Sequence, residues 1–376
     1  MKFSFTEEQD EFRSVLRRFL EDRSPPTEVR RLMATEEGWE RDRWAEINAE
    51  LELTAVAIPE AYGGHGFGAS EQCIVLEEMG RSLICAPYFS STVLAAPSIL
   101  NAGTEAQKKN LLPGIASGAT VATLAFTEEN GRWDNDGVAM TATGSGAGFT
   151  LNGTKSFALD GHTADLIVVL ARTPGSSGDD GLSLFTVAGD AAGLERSPLT
   201  TVDETRKLAR LSFKNVSAEL LGAEGGAAAP MAATLTRAAV CLANEMVGGA
   251  DRLREDALEY VQMRMQFGRS IASFQVTKHK AADMLADVEL AKSAAYYAAA
   301  ALDEGDDDVV SVASLAKACA SEAYMQTAVH AVQMHGGIGF TWDNDTHLWF
   351  KRAKSSEVLL GDANHHREMM MRNWVE

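Results

Sequence analysis

The sequence predicts an α+β protein in three parts: an N-terminal helical domain, a middle β domain of barrel or sandwich type, and a C-terminal four-helix bundle. Three observations predict it. Up to about residue 120 the apolar residues recur at helical spacing. From about 121 to 222 the chain breaks into short runs rich in Val, Leu, Phe and Thr, separated by Gly, Asn or Asp. Beyond that, long alanine-rich stretches follow, and small side chains suit close helix packing. The expected domains are therefore 1–120, 121–222 and 223–376.

Each element has a local reason. "FTEEQDEFRSVLRRFLEDR" places Phe5, Phe12, Leu16, Phe19 and Leu20 on a helical stripe, and Thr6 followed by acids starts the helix. "PEAYGGHGFG" (59–68) is a loop by its proline and glycines. "ASEQCIVLEEMGRSL" resumes helix, and "GTEAQKKNLLPGIASG" is a short helix with a glycine-rich exit. "VATLAFTEE", "GFTLNGTKSFAL", "ADLIVVLAR", "GLSLFTVAG" and "LARLSFKNV" read as strands, with "LNGT" as a hairpin turn. "GAEGGAAAP" (222–230) reads as a flexible joint, and three long helices follow it. No repeat recurs at a fixed period.

A chain of 376 residues with 45% hydrophobic content fits two or three globular domains. No apolar run approaches the ~18–20 residues of a membrane span. The start lacks a signal peptide's apolar core, because Glu7, Glu8 and Asp10 interrupt it, so a cytoplasmic protein is expected. The formal net charge of −19 argues against nucleic acid and anionic membranes as partners. An anionic ligand stays compatible, since a local pocket can oppose the global sign. Cys73, Cys85, Cys241 and Cys319 are scattered without a CxxC pair, and reduced buried thiols are expected.

Two stretches are more specific. "RMQFGRSIASFQVTKHKAADM" (264–284) joins an Arg, a Phe-Gly and a Phe-Gln. "QMHGGIGFTWDNDTHLWFKRAK" (333–354) adds a Gln and three glycines at a helix end. On this architecture they closely resemble the acyl-CoA dehydrogenase family. "AIPEAYGG", "LAFTEE", "LNGTKSF" and "LSFKNVSAELLG" fall where that family has similar segments, so the resemblance covers essentially the whole chain. It implies FAD held between the β domain and the bundle. It also implies α,β-oxidation of an acyl-CoA thioester, with a carboxylate taking the α proton, the flavin taking the β hydride, and an electron-transfer flavoprotein reoxidising the flavin. Such chemistry needs a base in a dry site and hydrogen bonds to the thioester oxygen.

In that family one FAD touches two subunits, and the resemblance divides the expected cofactor residues accordingly. The set facing a neighbour's FAD is complete: Arg264 for the pyrophosphate, Gln266, Phe267, Gln275, Gln333, and Gly337 where bare backbone lets the cofactor approach. The set facing the chain's own flavin is incomplete. Thr127 in "FTEE" is present, but "ENGRWDNDG" replaces the expected Ala-Gly-Ser-Asp loop. Phe157, Ala158 and Leu159 stand where the family has Trp, Ile and Thr or Ser. Phenylalanine can still stack, but leucine cannot donate a hydrogen bond. "RWD" (132–134) is a further possible contact to a partner's ligand.

The family's catalytic glutamate falls on Leu360, six residues past Lys354 in the aligned "KRAK". The alternative base position, 26 residues before Arg264, is Ala238. Two acids remain open as substitutes. Asp362 lies on the same turn as Leu360. Glu245 lies on nearly the same helix face as Ala238, but about 10 Å further along the axis at ~1.5 Å per residue. Either can equally be a helix-start or ion-paired residue. His365 and His366 with Asp362 invite a metal reading, yet no further ligand cluster is evident and no metal is expected. "HLWFKR" with His347 is expected to pack against the bundle.

The chain also resembles the shorter, base-lacking subunits of heteromeric steroid-type acyl-CoA dehydrogenases of actinobacteria. It implies a subunit that completes the FAD site of a related, glutamate-carrying partner, acting on an acyl-CoA or steroid-CoA in a heterotetramer. Two alternatives stay open: a self-sufficient homo-oligomer using a base such as Asp362, and a non-catalytic scaffold.

Overall fold

Helices come first. In the computed structural model, which describes residues 5–145 and 148–375, they are α1 (Glu7–Arg23), α2 (Pro26–Met33), α3 (Arg41–Leu51), α4 (Ala69–Ser82), α5 (Ala96–Ala102) and α6 (Glu105–Ala116). Thr6 and Thr104 start α1 and α6 through reciprocal caps with Gln9 and Gln107, so the backbone N–H groups that a helix start leaves bare are met locally. The strands are β1 (Ala122–Ala125), β2 (Thr141–Ser145), β3 (Gly148–Leu159), β4 (Leu166–Arg172), β5 (Leu182–Ala188), β6 (Leu194–Pro198) and β7 (Leu208–Leu221). Then come α7 (Ala228–Met263), the short strands β8 (Met265–Gln266) and β9 (Arg269–Ser270), α8 (Gln275–Glu304), α9 (Val309–His335), α10 (Thr346–Val358) and α11 (Ala363–Val375). This is the expected fold class: helical, β-rich, helical.

The chain forms two compact units. One comprises Leu32–Gly68 and Cys85–Ala238. In it β4, β2, β3, β7 and β5 pair in turn, and β5 pairs back to β4, which closes a barrel. Strand β1 joins β4 in parallel and β6 joins β7. Inward residues such as Phe149, Leu151, Val169, Phe185, Leu211 and Phe213 fill it. The other unit comprises Met1–Arg31, Ala69–Ile84 and Ala239–Glu376. Its helices share a charged cluster: Arg13 on Glu77, Arg17 to Glu78 at 2.7 Å, Arg81 to Asp251 at 3.2 Å and Lys292 to Asp251 at 2.7 Å.

Three expectations are corrected. "LNGT" is not a turn: Asn152 and Gly153 lie inside β3, where the register with β7 shifts. A Cβ on Gly153 would come within 2.8 Å of Met140, and the Asn152 side chain accepts from the Asn215 backbone N–H. The Asn-Gly signal therefore marks a bulge and a close approach. Strands β2 and β6 escaped the sequence reading, the first glycine-bearing and the second a polar edge strand that pairs only with β7. The segment 222–230 is tied rather than loose, since Gly222 N–H donates to Gln107, Gly225 N–H donates to Ser183, and α7 begins at Ala228. Cys73, Cys85 and Cys241 are buried thiols, while Cys319 is half-buried. Among the described residues no helix is long and apolar enough to cross a membrane.

Candidate cofactor site

Helix α7 ends at Met263, and the chain reverses in a two-residue hairpin. Phe267 (φ +53°) and Gly268 (φ +76°) occupy the turn between β8 and β9. Two successive left-handed residues give the twist a tight hairpin needs. Glycine adopts this readily, whereas phenylalanine does so at a conformational cost. The hairpin nevertheless holds Phe267 at its tip, 93% exposed, with the edge of Phe274 at 6.3 Å as a neighbour.

Beside this hairpin lies a cavity of about 500 Å³, lined among others by Arg264, Gln266, Phe267, Lys280, Gln333 and His335. Four of the six neighbour-facing residues thus share one cavity, from segments 67 residues apart along the chain between Gln266 and Gln333. The other two flank it: Gln275 lies between the lining residues Phe274 and Val276, and Gly337 follows the lining residue Gly336. Among the described residues no carboxylate lines the cavity. Helix α8 starts there without a side-chain cap, leaving N–H groups at its first turn for a ligand. A Cβ on Gly337 would meet nothing within 4 Å, and its φ is not positive. Neither packing nor backbone conformation within the chain requires glycine there. These features fit a dinucleotide whose diphosphate needs cations and N–H donors and whose rings need flat apolar faces.

Tyr260, Lys280 and His335 were not anticipated. His335 is buried, donates through Nδ1 to the Ala331 carbonyl at 2.8 Å, and stacks on Tyr260 with ring centres 4.4 Å apart. Tyr260 is one helical turn before Arg264 and His335 two residues after Gln333, so spacing from the assigned residues was the available signal.

The turn that joins α10 to α11 carries Leu360 at φ +62°, 8% exposed. Its backbone is held from two sides. The neutral His366 ring donates from Nε2 to the Leu360 carbonyl at 3.1 Å, with Nδ1 3.4 Å from the Ser314 hydroxyl. The buried Lys317 ammonium donates to the Gly361 carbonyl at 3.0 Å and to Ser321 at 3.0 Å. Burial, and next the Lys317 charge, push the His366 pKa down to about 3. The Asp362 carboxylate accepts from the His365 backbone N–H at 2.8 Å and so caps α11. Ala238 is fully buried on α7. Glu245 is buried and paired with Arg352 at 2.8 Å. Among the described residues no three His, Cys, Asp or Glu side chains cluster to hold a metal. His347 is buried with its edge on Trp342, and Arg132 pairs with Asp134.

Thr127 and Phe157 belong to the barrel unit. The Thr127 hydroxyl donates to the Ser156 carbonyl at 2.6 Å, and the Ser156 N–H donates to the Thr127 carbonyl. The Thr127 hydroxyl proton is thus already placed. Lys155, fully buried, donates to Glu128 at 2.8 Å and to the Phe126 carbonyl. Burial lowers its pKa to about 8, against the opposing pull of Glu128. Between these anchors the β3–β7 register shifts, and Phe157 turns outward at φ +61°, 44% exposed. Bulges of this kind re-aim a side chain away from the sheet.

Comparison with known proteins agrees over the whole chain. Residues 6–119 match the acyl-CoA dehydrogenase N-terminal domain, 123–216 its middle domain, and 224–375 its C-terminal domain. The acyl-CoA dehydrogenase IpdE2 of Mycobacterium tuberculosis is 29% identical over 354 residues, 94% of this chain and 93% of the relative. A solved steroid acyl-CoA dehydrogenase, Tcur3481–Tcur3483, is 29% identical with a TM-score of 0.87, covering 98% of both chains. The ChsE4–ChsE5 complex of Mycobacterium tuberculosis is 27% identical with a TM-score of 0.89, covering 100% of this chain and 99% of that one. The chain belongs to the acyl-CoA dehydrogenase family, a family of FAD-dependent flavoprotein oxidoreductases.

Proposed function

We propose that this chain is the base-lacking subunit of a heteromeric acyl-CoA dehydrogenase and completes an FAD site on a related partner that carries the catalytic glutamate. One observation carries the reading. Four of the six residues expected to face a neighbour's FAD line a cavity that no described carboxylate lines, while both base positions, Leu360 and Ala238, are buried apolar side chains. The nearby acids are engaged, Asp362 as a helix cap and Glu245 as an ion pair. Arg264 supplies charge to the diphosphate, Gln266 and Gln333 supply hydrogen bonds, and Phe267 covers an aromatic face. When bound, FAD supplies the electron sink for α,β-dehydrogenation of a CoA thioester. The steroid acyl-CoA dehydrogenase and the ChsE4–ChsE5 complex support a steroid-derived thioester and a two-component assembly.

The test is expression alone and with a co-encoded dehydrogenase-like partner. Bound flavin is read by its visible absorbance, and turnover is measured with acyl-CoA and an electron-transfer flavoprotein or dye. The expected result is flavin and turnover in the pair and little of either alone. Full flavin content and turnover in the chain alone would sink the proposal.

A further inference from the structure

The cavity beside the hairpin holds a second cation that the family resemblance did not assign. Lys280 lines the same cavity as Arg264. Its nearest polar partner is a neutral-type acceptor, His330 Nδ1 at 3.5 Å. Among the described residues no carboxylate comes within ion-pairing distance of either Lys280 or Arg264. Other cations, such as Arg172, Lys207 and Lys317, donate to backbone carbonyls of the chain, whereas Lys280 and Arg264 line an open cavity. Two cations without a carboxylate partner around one cavity can together take an anion from outside the chain. His330 fits a supporting role. Burial and the Lys280 charge hold its pKa below the usual histidine value, so the neutral ring can accept from the ammonium.

We propose that Lys280 is a second cationic anchor for the diphosphate of the bound dinucleotide, acting together with Arg264 and oriented by His330. The proposal rests on the reading of this cavity as the FAD-completing site. A long flexible lysine gives a point charge rather than the forked contact of an arginine. Its contribution should therefore depend strongly on salt and survive replacement by another cation.

The test uses the full assembly with its partner, carrying Lys280→Ala, Lys280→Arg or Arg264→Ala. FAD affinity is measured by fluorescence titration of the deflavinated complex at low and high salt. Circular dichroism melts check folding. Lys280→Ala is expected to weaken FAD binding by about tenfold or more at low salt, the size of one lost charge-assisted contact. The loss should shrink at high salt, and Lys280→Arg should restore most of the affinity. Wild-type affinity in Lys280→Ala together with weakened binding in Arg264→Ala would overturn the role of Lys280 and leave the cavity reading intact. Wild-type affinity in both would overturn the two together. A Lys280→Arg variant as weak as Lys280→Ala, with an unchanged melt, would show that packing rather than charge matters and would also overturn the proposal.

Discussion

The Glu245 carboxylate on α7 and the Arg352 guanidinium on α10 meet at 2.8 Å with both side chains about 95% buried. This pair fixes what Glu245 can do. A buried carboxylate that accepts from a guanidinium has a structural duty that competes with proton abstraction. Breaking such a pair from one side leaves an uncompensated buried charge, at a cost of about 3–5 kcal/mol. Glu245→Gln and Arg352→Met should therefore each lower the denaturation midpoint sharply, and the Glu245→Gln/Arg352→Met double variant should lose less than the sum of the singles. Urea melts of the four proteins measure the coupling. Additive losses would show that the two side chains are energetically independent.

Asp362 offers a cleaner separation of structure from chemistry. Its carboxylate caps α11, and asparagine caps a helix start about as well as aspartate. Asparagine cannot accept a proton as a general base. Asp362→Asn should therefore keep both stability and turnover of the assembly, turnover within about twofold, whereas loss of a true base would lower it by ~10²–10⁴. Asp362→Ala should lose about 1 kcal/mol of stability through the cap alone and keep its turnover. A steady-state assay of the two variants beside a thermal melt decides the matter.

How much of this was legible in the sequence follows from the range of the interactions. Helix α1 was readable because its apolar stripe and its Thr6 start are local signals, and the structure adds the reciprocal caps Thr6–Gln9 and Thr104–Gln107. The strong strands were readable from their apolar runs. Strands β2 and β6 were not: β2, Thr-Ala-Thr-Gly-Ser, has little apolar content, and edge pairing of β6 demands little of side-chain type. Glu245 and Arg352 are 107 residues apart, and the sequence allowed both an exposed and a paired glutamate. The cavity residues Arg264, Gln266, Phe267 and Gln333 were legible only through family resemblance, and that route passed over Lys280. Backbone strain was wholly hidden. Phe157, Phe267 and Leu360 all adopt left-handed φ, which sequence patterns give no reason to expect of bulky residues. Strain of this kind persists where surrounding contacts over-determine it, and Glu52, Leu83, Asp160 and Asn215 carry it at positions the resemblance does not assign.

Gly337 tests whether the cavity faces a ligand. Its Cβ would point into open space and its φ suits any residue, so Gly337→Ala should leave the stability of the chain alone within about 0.5 kcal/mol. In the assembly the added methyl should weaken FAD retention several-fold, because the cofactor loses its close approach to the backbone. Flavin content after gel filtration, compared with a melt of the isolated subunit, reads both effects. A destabilised subunit with normal flavin content would place the glycine requirement inside the chain after all.

His366 makes the Leu360 turn sensitive to acid. Its pKa is about 3 in the folded protein, against ~6.5 in an unfolded chain. The group is neutral in both states above pH 6.5, so its full contribution to stability is present there. As pH falls below 6.5 the unfolded chain binds a proton that the folded chain refuses, and stability is lost until about pH 3. Between pH 7.5 and 5.5 this one group should remove about 1.4 kcal/mol. His366→Gln keeps a donor for the Leu360 carbonyl but does not titrate. His162 and His330, whose pKa values burial also lowers, are common to both proteins and cancel in the comparison. Urea denaturation of wild type and His366→Gln at the two pH values should show the wild type losing about 1.4 kcal/mol more than the variant. Equal losses would mean that His366 takes up its proton in the folded state, and that the hydrogen bond to Leu360 does not depend on a neutral ring.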